Sequence, residues 1–434
     1  MVTPHHPHIA LISVHGDPAV DIGKEEAGGQ NVYVRHVGEA LAGLGWQVDL
    51  FTRRTSDDQA SIVLHTPRCR TIRLAAGPAR FIPRDRIFDY LPTFVEAFLL
   101  FQHTQGVTYD LVHTNYWLSS WVGMELKKRQ PQLCQVHTYH SLGAVKYQTM
   151  EIVPAIAEIR LVVEKTCMEA ADRIVATSPQ EREHMRSLVS SNGKIDVIPC
   201  GTDTGRFGSV DQITARQKLG IDLETQIVLY IGRFDRRKGI ETLVRAIGKS
   251  KHRQGGKLRL VIGGGSRPGH SDGIERQRIE DIVADLDMKQ MTLFSGRISD
   301  EELPLHYAAA DITVVPSHYE PFGLVAIESM ASGTPVVASD VGGLQFTIQP
   351  HVTGLLAPPQ NAIEFAWAID QILDDPVWRA KMGQAARQRV EAYFSWRGVA
   401  EQLSSLYKLL LKLKFADDDN SEDIQPDDRK ASVA

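Results

Sequence analysis

Short runs of β-branched and aliphatic residues alternate with longer stretches whose apolar positions recur at helical spacing, almost from end to end of the chain. His8–Val14 (HIALISV) reads as a first strand, apolar on both faces as a central strand of a parallel sheet is. A Gly-rich loop follows, then a helix beginning near Gln30 with Val34, Val37, Leu41 and Leu44 on one stripe. Strands are predicted at Gln47–Thr52, Asp110–Thr114, Leu133–Thr138 and Arg173–Thr177, the last feeding a helix started by Ser178-Pro179. The alternation pauses over the turn formers of Asp196–Gly208 (DVIPCGTDTGRFG). It resumes at Ile227–Gly232, Leu258–Ile262, Met291–Phe294, Ile312–Val315, Pro335–Ala338 and Thr353–Leu356.

Repeated βα units predict an α/β protein with two Rossmann-like, doubly wound lobes and a cleft between them. The first lobe spans residues 1–203 and the second 204–390. Arg397–Lys414 reads as one amphipathic helix, and the acidic segment 416–434 has too few large apolar residues to fold, so disorder is expected there. Ligands of such a protein bind at the carboxyl ends of the strands, in the crevice.

The 434 residues suffice for two or three domains with cores of their own. A net charge of −5 without a long basic run argues against nucleic-acid binding, and no apolar stretch approaches the ~18 residues of a membrane span. Cys69, Cys134, Cys167 and Cys200 lie far apart, outside any zinc or redox spacing, and read as reduced thiols. Met1–His8 lacks a basic region and Ile9–Val14 is too short for a signal core, so a cytoplasmic protein is expected.

Three loops at strand ends carry candidate chemistry. Ala27-Gly28-Gly29-Gln30-Asn31 puts paired glycines at a helix start, where backbone N–H groups can approach an anion; glycines alone equally suit a tight turn. Gly232-Arg233-Phe234-Asp235-Arg236-Arg237-Lys238-Gly239 offers two cations, Arg233 and Lys238, that can converge on one diphosphate, while Arg236 and Arg237 fit a solvated charge run. Glu320-Pro321-Phe322-Gly323-Leu324-Val325-Ala326-Ile327-Glu328 separates two carboxylates by about 12 Å of helical rise. They are placed to address two ends of an elongated ligand, with the N–H groups of Gly323 and Leu324 facing its anionic middle.

In this order the three loops resemble those of retaining glycosyltransferases with two Rossmann lobes, the GT-B fold of family 4, over about residues 8 to 410. The resemblance implies that Arg233 and Lys238 hold the nucleotide diphosphate and that Glu320 sits by the donor sugar. Glu328 then binds the ribose, Gly29 lies behind the transferred sugar, and the last helix crosses back to complete the first lobe. Gly28–Val34 with His140-Ser141-Leu142-Gly143 and Lys146 is similar to sucrose-phosphate synthases, and Asn31 with His113–Ser119 to enzymes that glycosylate an inositol phosphate.

The first of these implies transfer of glucose from UDP-glucose to fructose 6-phosphate, with His140 on the donor 6-hydroxyl. Gln30, Asn31, Arg84, Lys146 and Arg160 then bind the acceptor. A surface ion pair is the other reading of Arg160, and Lys146 does not separate this type from sucrose synthases. A UDP-sugar 2-epimerase on the same lobes is a further alternative. The partners implied are a nucleotide sugar and a phosphorylated sugar, with no cofactor and no metal. Gly296-Arg297-Ile298 resembles the family's base-reading segment, which adds Ile298 to the donor set, as do Phe322, Gly323 and Leu324. Asp285-Leu286-Asp287 matches a metal-binding Asp-x-Asp but lies in an amphipathic segment, and His5, His6 and His8 lie at an unanchored terminus.

Overall fold

The computed structural model describes residues 8–20, 28–148, 150 and 153–422, with side chains followed to residue 412. Ala27, His5, His6 and the tail beyond 422 lie outside the described residues. The first lobe contains β1 (His8–Ile12), β2 (Gln47–Arg53), β3 (Ile62–Thr66), β4 (Cys69–Leu74), β5 (Leu111–Asn115), β6 (Cys134–Thr138), β7 (Arg173–Ala176) and β8 (Ile195–Val197). The second contains β9 (Gln226–Ile231), β10 (Leu258–Gly263), β11 (Thr292–Gly296), β12 (Ile312–Val315), β13 (Val336–Ser339) and β14 (Gly354–Ala357).

Among the described residues these strands form two sheets, in the orders β3-β4-β2-β1-β5-β6-β7-β8 and β11-β10-β9-β12-β13-β14. Every pairing is parallel except β3 with β4. Ile9, Ala10, Leu11 and Ile12 on β1 are fully buried, because helices cover both faces of a parallel sheet. The β3–β4 hairpin and β8 carry no continuous apolar run, so the hydrophobic pattern does not announce them; Ile62 and Leu64 on the edge strand stay exposed. In each sheet the order reverses once, between β1 and β5 and between β9 and β12, and these reversals open the crevices where ligands of such sheets bind.

The last helix, Trp396–Glu422, leaves the second lobe and packs on the first. Its Ser404 Oγ accepts from the Trp46 indole at 2.9 Å, and the Tyr407 hydroxyl lies 2.5 Å from His113 Nδ1 on β5. Tyr33, Trp46 and Leu41 share one buried cluster with Leu403 and Tyr407, so the helix closes the first lobe's core. Disorder from 416 onward is corrected over 416–422, where the backbone remains helical. A helix already nucleated propagates through Ala, Asp and Glu, and no Gly or Pro interrupts it before Pro426.

Candidate active site

The loops after β9 and β12, flanking the second crevice, are locked together by backbone. Arg236–Lys238 forms one tight 3-10 turn, capped by Asp235, whose carboxylate accepts from the Arg237 N–H at 3.0 Å. Gly239 ends the turn at φ 68°, and a Cβ there would stand 2.0 Å from the Pro316 carbonyl, so only glycine fits. One residue group further on, the His318 N–H donates to the Arg237 carbonyl at 2.7 Å. Lys238 Nζ donates to Glu320 Oε2 at 2.6 Å, and Ser317 Oγ reaches the same oxygen at 3.4 Å. Arg233 lies exposed where β9 ends.

Gly323, at φ 96°, turns the chain into the helix Leu324–Ala331. The Leu324 and Val325 N–H groups at its start take no carbonyl partner among the described residues. Across the cleft the helix Gly29–Gly43 begins, and a Cβ on Gly29 would lie 2.9 Å from Leu324 Cδ1. Two helix N-termini, one from each lobe, therefore face the same gap, and both carry partial positive charge. Glu328 lies apart from Glu320: it accepts from the Tyr307 hydroxyl at 2.8 Å, and burial pushes its carboxyl up to about 7. The two carboxylates thus sit in separate surroundings.

Phe322, expected in the donor set, has its ring buried and packed on Phe394 with centroids 5.7 Å apart, which leaves its backbone to face a ligand. Ile298 lies over the turn after β10, 2.7 Å from where a Cβ of Gly263 would stand, and Gly264 packs on the Gly232 carbonyl. The loops after β9, β10 and β11 are thereby stacked. Asp285 ends the helix Ser271–Asp285 and Asp287 follows in a turn at φ 52°; among the described residues no three His, Cys, Asp or Glu side chains group as metal ligands.

In the first lobe, Gln30 and Asn31 hold the loop after β1 rather than projecting freely. The Gln30 amide donates to Ser13 Oγ at 2.9 Å, and the buried Asn31 donates to the Asp17 carbonyl at 2.9 Å and accepts from the Gly28 N–H at 3.3 Å. His140, at φ 60°, follows β6 in a left-handed conformation that L residues rarely adopt. Asn115 Nδ2 donates to the His113 carbonyl at 3.1 Å, which turns Asn115 Oδ1 toward His140 Nε2, 2.8 Å away. Nε2 therefore carries the proton and Nδ1 is left as an acceptor. Burial pushes the imidazole down to about 3, so it is neutral at physiological pH.

Arg160 is not a surface residue: its side chain is 1% exposed. It donates to Glu164 at 2.7 Å, to the Ser141 carbonyl at 2.6 Å and to the Tyr116 hydroxyl at 3.2 Å. Glu164 also accepts from the Gly143 N–H at 2.9 Å, so the pair clamps the start of the helix Gly143–Gln148, which carries Lys146. Lys146 is pushed down to about 8 by burial and by the charges of Arg160, Arg237 and Arg84. Arg160 and Lys146 both stand over the Tyr147 ring, at 5.5 and 5.8 Å from its centroid.

Sequence reasoning overlooked three members of this region. His15, in the loop after β1, lies against Tyr116 with ring centroids 4.6 Å apart and is held neutral by burial first and then by the charges of Arg84, His140 and Arg160. Tyr116, at φ 74°, carries Arg160 5.0 Å over its ring. Arg237, read as solvated, is forked onto Asp235 at 3.2 and 2.6 Å. Arg237 and Tyr116 lie inside segments already singled out, Gly232–Gly239 and His113–Ser119, without having been given a role there, and His15 had only its strand-end position as a signal.

The model of the family "Glycosyl transferase 4-like domain" matches residues 28–201 and that of "Glycosyl transferases group 1" matches 211–389. A D-inositol 3-phosphate glycosyltransferase of Corynebacterium aurimucosum is 36% identical over 416 residues, 94% of this chain and 97% of its own. The chain is a family 4 glycosyltransferase. The epimerase alternative falls with that assignment. A solved sucrose-phosphate synthase from Thermosynechococcus elongatus is 51% identical, with a TM-score of 0.86 over 94% of this chain and all (100%) of that one. A protein of Anabaena, solved with UDP and glucose, shares the GT-B fold at 19% identity and TM-score 0.73, covering 93% of this chain and 100% of its own. No helix among the described residues is long and apolar enough to cross a membrane.

Proposed function

We propose that this glycosyltransferase moves glucose from UDP-glucose to fructose 6-phosphate with retention at the anomeric carbon, releasing UDP and sucrose 6-phosphate. The observation that carries the acceptor is the placement of Arg160 and Lys146 over one Tyr147 ring, at 5.5 and 5.8 Å, in the segment that begins with His140 and is clamped by the Arg160 bond to the Ser141 carbonyl. The likeness to a sucrose-phosphate synthase at 51% identity supports the same choice.

Arg233 grips the diphosphate by its fork and Lys238 as a point charge, while the N–H groups near Gly29, Gly323 and Leu324 complete the cradle. Without ligand, Lys238 and Glu320 neutralise each other. A diphosphate draws the ammonium to itself and frees Glu320 to accept from donor-sugar hydroxyls. Glu328 accepts from the ribose diol, and the backbone near Ile298 faces the base. His140 Nδ1 accepts from the donor 6-hydroxyl. Lys146 and Arg84 meet the acceptor phosphate, Arg160 steadies Lys146 and adjoins the phosphate, and Gln30 and Asn31 shape the acceptor floor.

In the reaction the bond from glucose C1 to the β-phosphate oxygen breaks and a bond to the acceptor's C2 oxygen forms on the same face. The acceptor proton passes to the departing phosphate oxygen, so no protein nucleophile is required. The fixed cations and amides stabilise the leaving charge in a cleft shielded from water. Activity is therefore expected to survive EDTA.

A second reading has its own support: relatives at 36% identity are named D-inositol 3-phosphate glycosyltransferases, and a phosphorylated cyclitol suits the same cations. Measuring release of the nucleoside diphosphate, UDP from UDP-glucose or ADP from ADP-glucose, against fructose 6-phosphate, fructose and inositol 3-phosphate decides. Turnover with the cyclitol phosphate alone overturns the first reading, and preference for free fructose overturns both.

A further inference from the structure

His140 is held from β5 by a side chain that has no part in the reaction described above. Asn115, the last residue of that strand, is fully buried. One end of its amide stands 3.1 Å from the His113 carbonyl and 3.5 Å from the Ile12 carbonyl. Two carbonyls on one side demand a donor, so that end is Nδ2 and the amide cannot be turned over. Its oxygen is thereby committed to the other side, where His140 Nε2 lies 2.8 Å away and has to bring the proton. The Asn115 backbone carbonyl accepts from the Gln30 side-chain amide at 3.4 Å, which ties this end of β5 to the helix Gly29–Gly43. From the same helix the Tyr33 ring meets the imidazole edge-on, with centroids 4.8 Å apart. His140 Nδ1 takes no partner among the described residues and, unlike Nδ1 of His15, is not sealed from solvent.

We propose that Asn115 is a positioning residue, which fixes the proton of His140 on Nε2 and so presents Nδ1 to the cleft as a hydrogen-bond acceptor for a sugar hydroxyl. An imidazole with its proton on Nδ1 would offer that hydroxyl a donor instead, and the hydroxyl would have to turn its own proton elsewhere. The titratable groups nearest in the fold are Tyr33 beside the ring, His113 on β5, His137 on β6 and His15 after β1. All are uncharged at neutral pH, because burial pushes each histidine down and the phenol up. The amide therefore sets the direction of the proton without an ionic partner. The inference rests on the reading of His140 as a contact of the donor sugar.

Spectra and kinetics of the full-length enzyme test it. With nitrogen-15-labelled histidine, and the His140 signals assigned by their loss in His140→Ala, long-range proton–nitrogen NMR is expected to show Nε2 protonated and Nδ1 bare at neutral pH. Asn115→Leu is expected to spread the proton over both nitrogens and to lower kcat by about tenfold or more, with KM for the acceptor changed by less than about twofold. Asn115→Asp sets an anion against Nε2 and favours a second proton on the ring, so its kcat is expected to climb from pH 6 to pH 9, relative to the unaltered enzyme, as Nδ1 is freed. A proton on Nδ1 in the unaltered enzyme, full kcat in Asn115→Leu or an unshifted profile in Asn115→Asp overturns the role given to Asn115. The first of these decides even where a variant fails to fold. If His140→Ala itself turns over at the full rate, the reading of His140 at the donor fails first, and the NMR result is separate from that failure.

Discussion

The two sides of the cleft, donor and acceptor in the reading proposed above, keep their charges in opposite ways. On the donor side Arg233 is exposed, and Lys238 and Glu320, 29% and 15% exposed, form a pair that a ligand can take apart. On the acceptor side Arg160 and Glu164 are 1% and 0% exposed and committed to internal partners. The donor lobe thus holds exchangeable charge for a diphosphate that must arrive and leave, whereas the acceptor lobe uses buried charge to fix the shape of the recognition loop.

The sharpest way to break that contrast is Arg160→Ala. Removing one partner strands a buried carboxylate, and a loss of about 3–5 kcal/mol in stability is expected by denaturant unfolding. The double change Arg160→Met with Glu164→Leu is expected to recover most of it; if the single change costs under about 1 kcal/mol, the acceptor side is not committed in this sense. Next comes Arg233→Ala, expected to leave unfolding unaltered and to lower kcat/KM by about 3 kcal/mol, the scale for one lost donor at a developing charge. A large shift in melting temperature instead would erase the distinction between the two sides.

Smaller effects follow from protonation. With Glu328 raised to about 7, its carboxylate forms only above that pH, so KM for the donor is expected to fall as pH rises from 6 to 8, and Glu328→Gln to flatten the profile. The same shift, upward from 4.5, means the ligand-free fold loses stability as pH rises through that interval. Lys146 behaves in the opposite sense. Lowered to about 8, it loses its charge above that pH, and KM for a phosphorylated acceptor is expected to rise there. Calorimetry near pH 8.5 in buffers of different ionisation enthalpy is expected to detect proton uptake on acceptor binding, and no uptake would contradict the placement of Lys146 at the phosphate.

Much of this was legible in the chain. The parallel strands read as apolar runs because both faces are covered, and their ends fall within a residue or two of the expected positions, as with Ile312–Val315. The loops bearing Arg233, Lys238 and Glu320 could be placed after β9 and β12 because glycines and turn formers follow those apolar runs. The edge hairpin Ile62–Leu74 escaped because half-exposed strands need no continuous apolar run. Tyr116 escaped for another reason: its surroundings come from residues distant in sequence, Arg160 and His15, which enclose its ring. The motif marks the position of Phe322 but not the direction of its ring, which packs into the core against Phe394.

The crossing of Trp396–Glu422 onto the first lobe has a consequence for synthesis. Trp46 and His113 emerge early from the ribosome, yet Ser404 and Tyr407, which complete their surroundings, are translated only after the entire second lobe. The nascent amino-terminal half must therefore wait with an apolar flank uncovered while its neighbour is being made, an interval in which aggregation competes with folding.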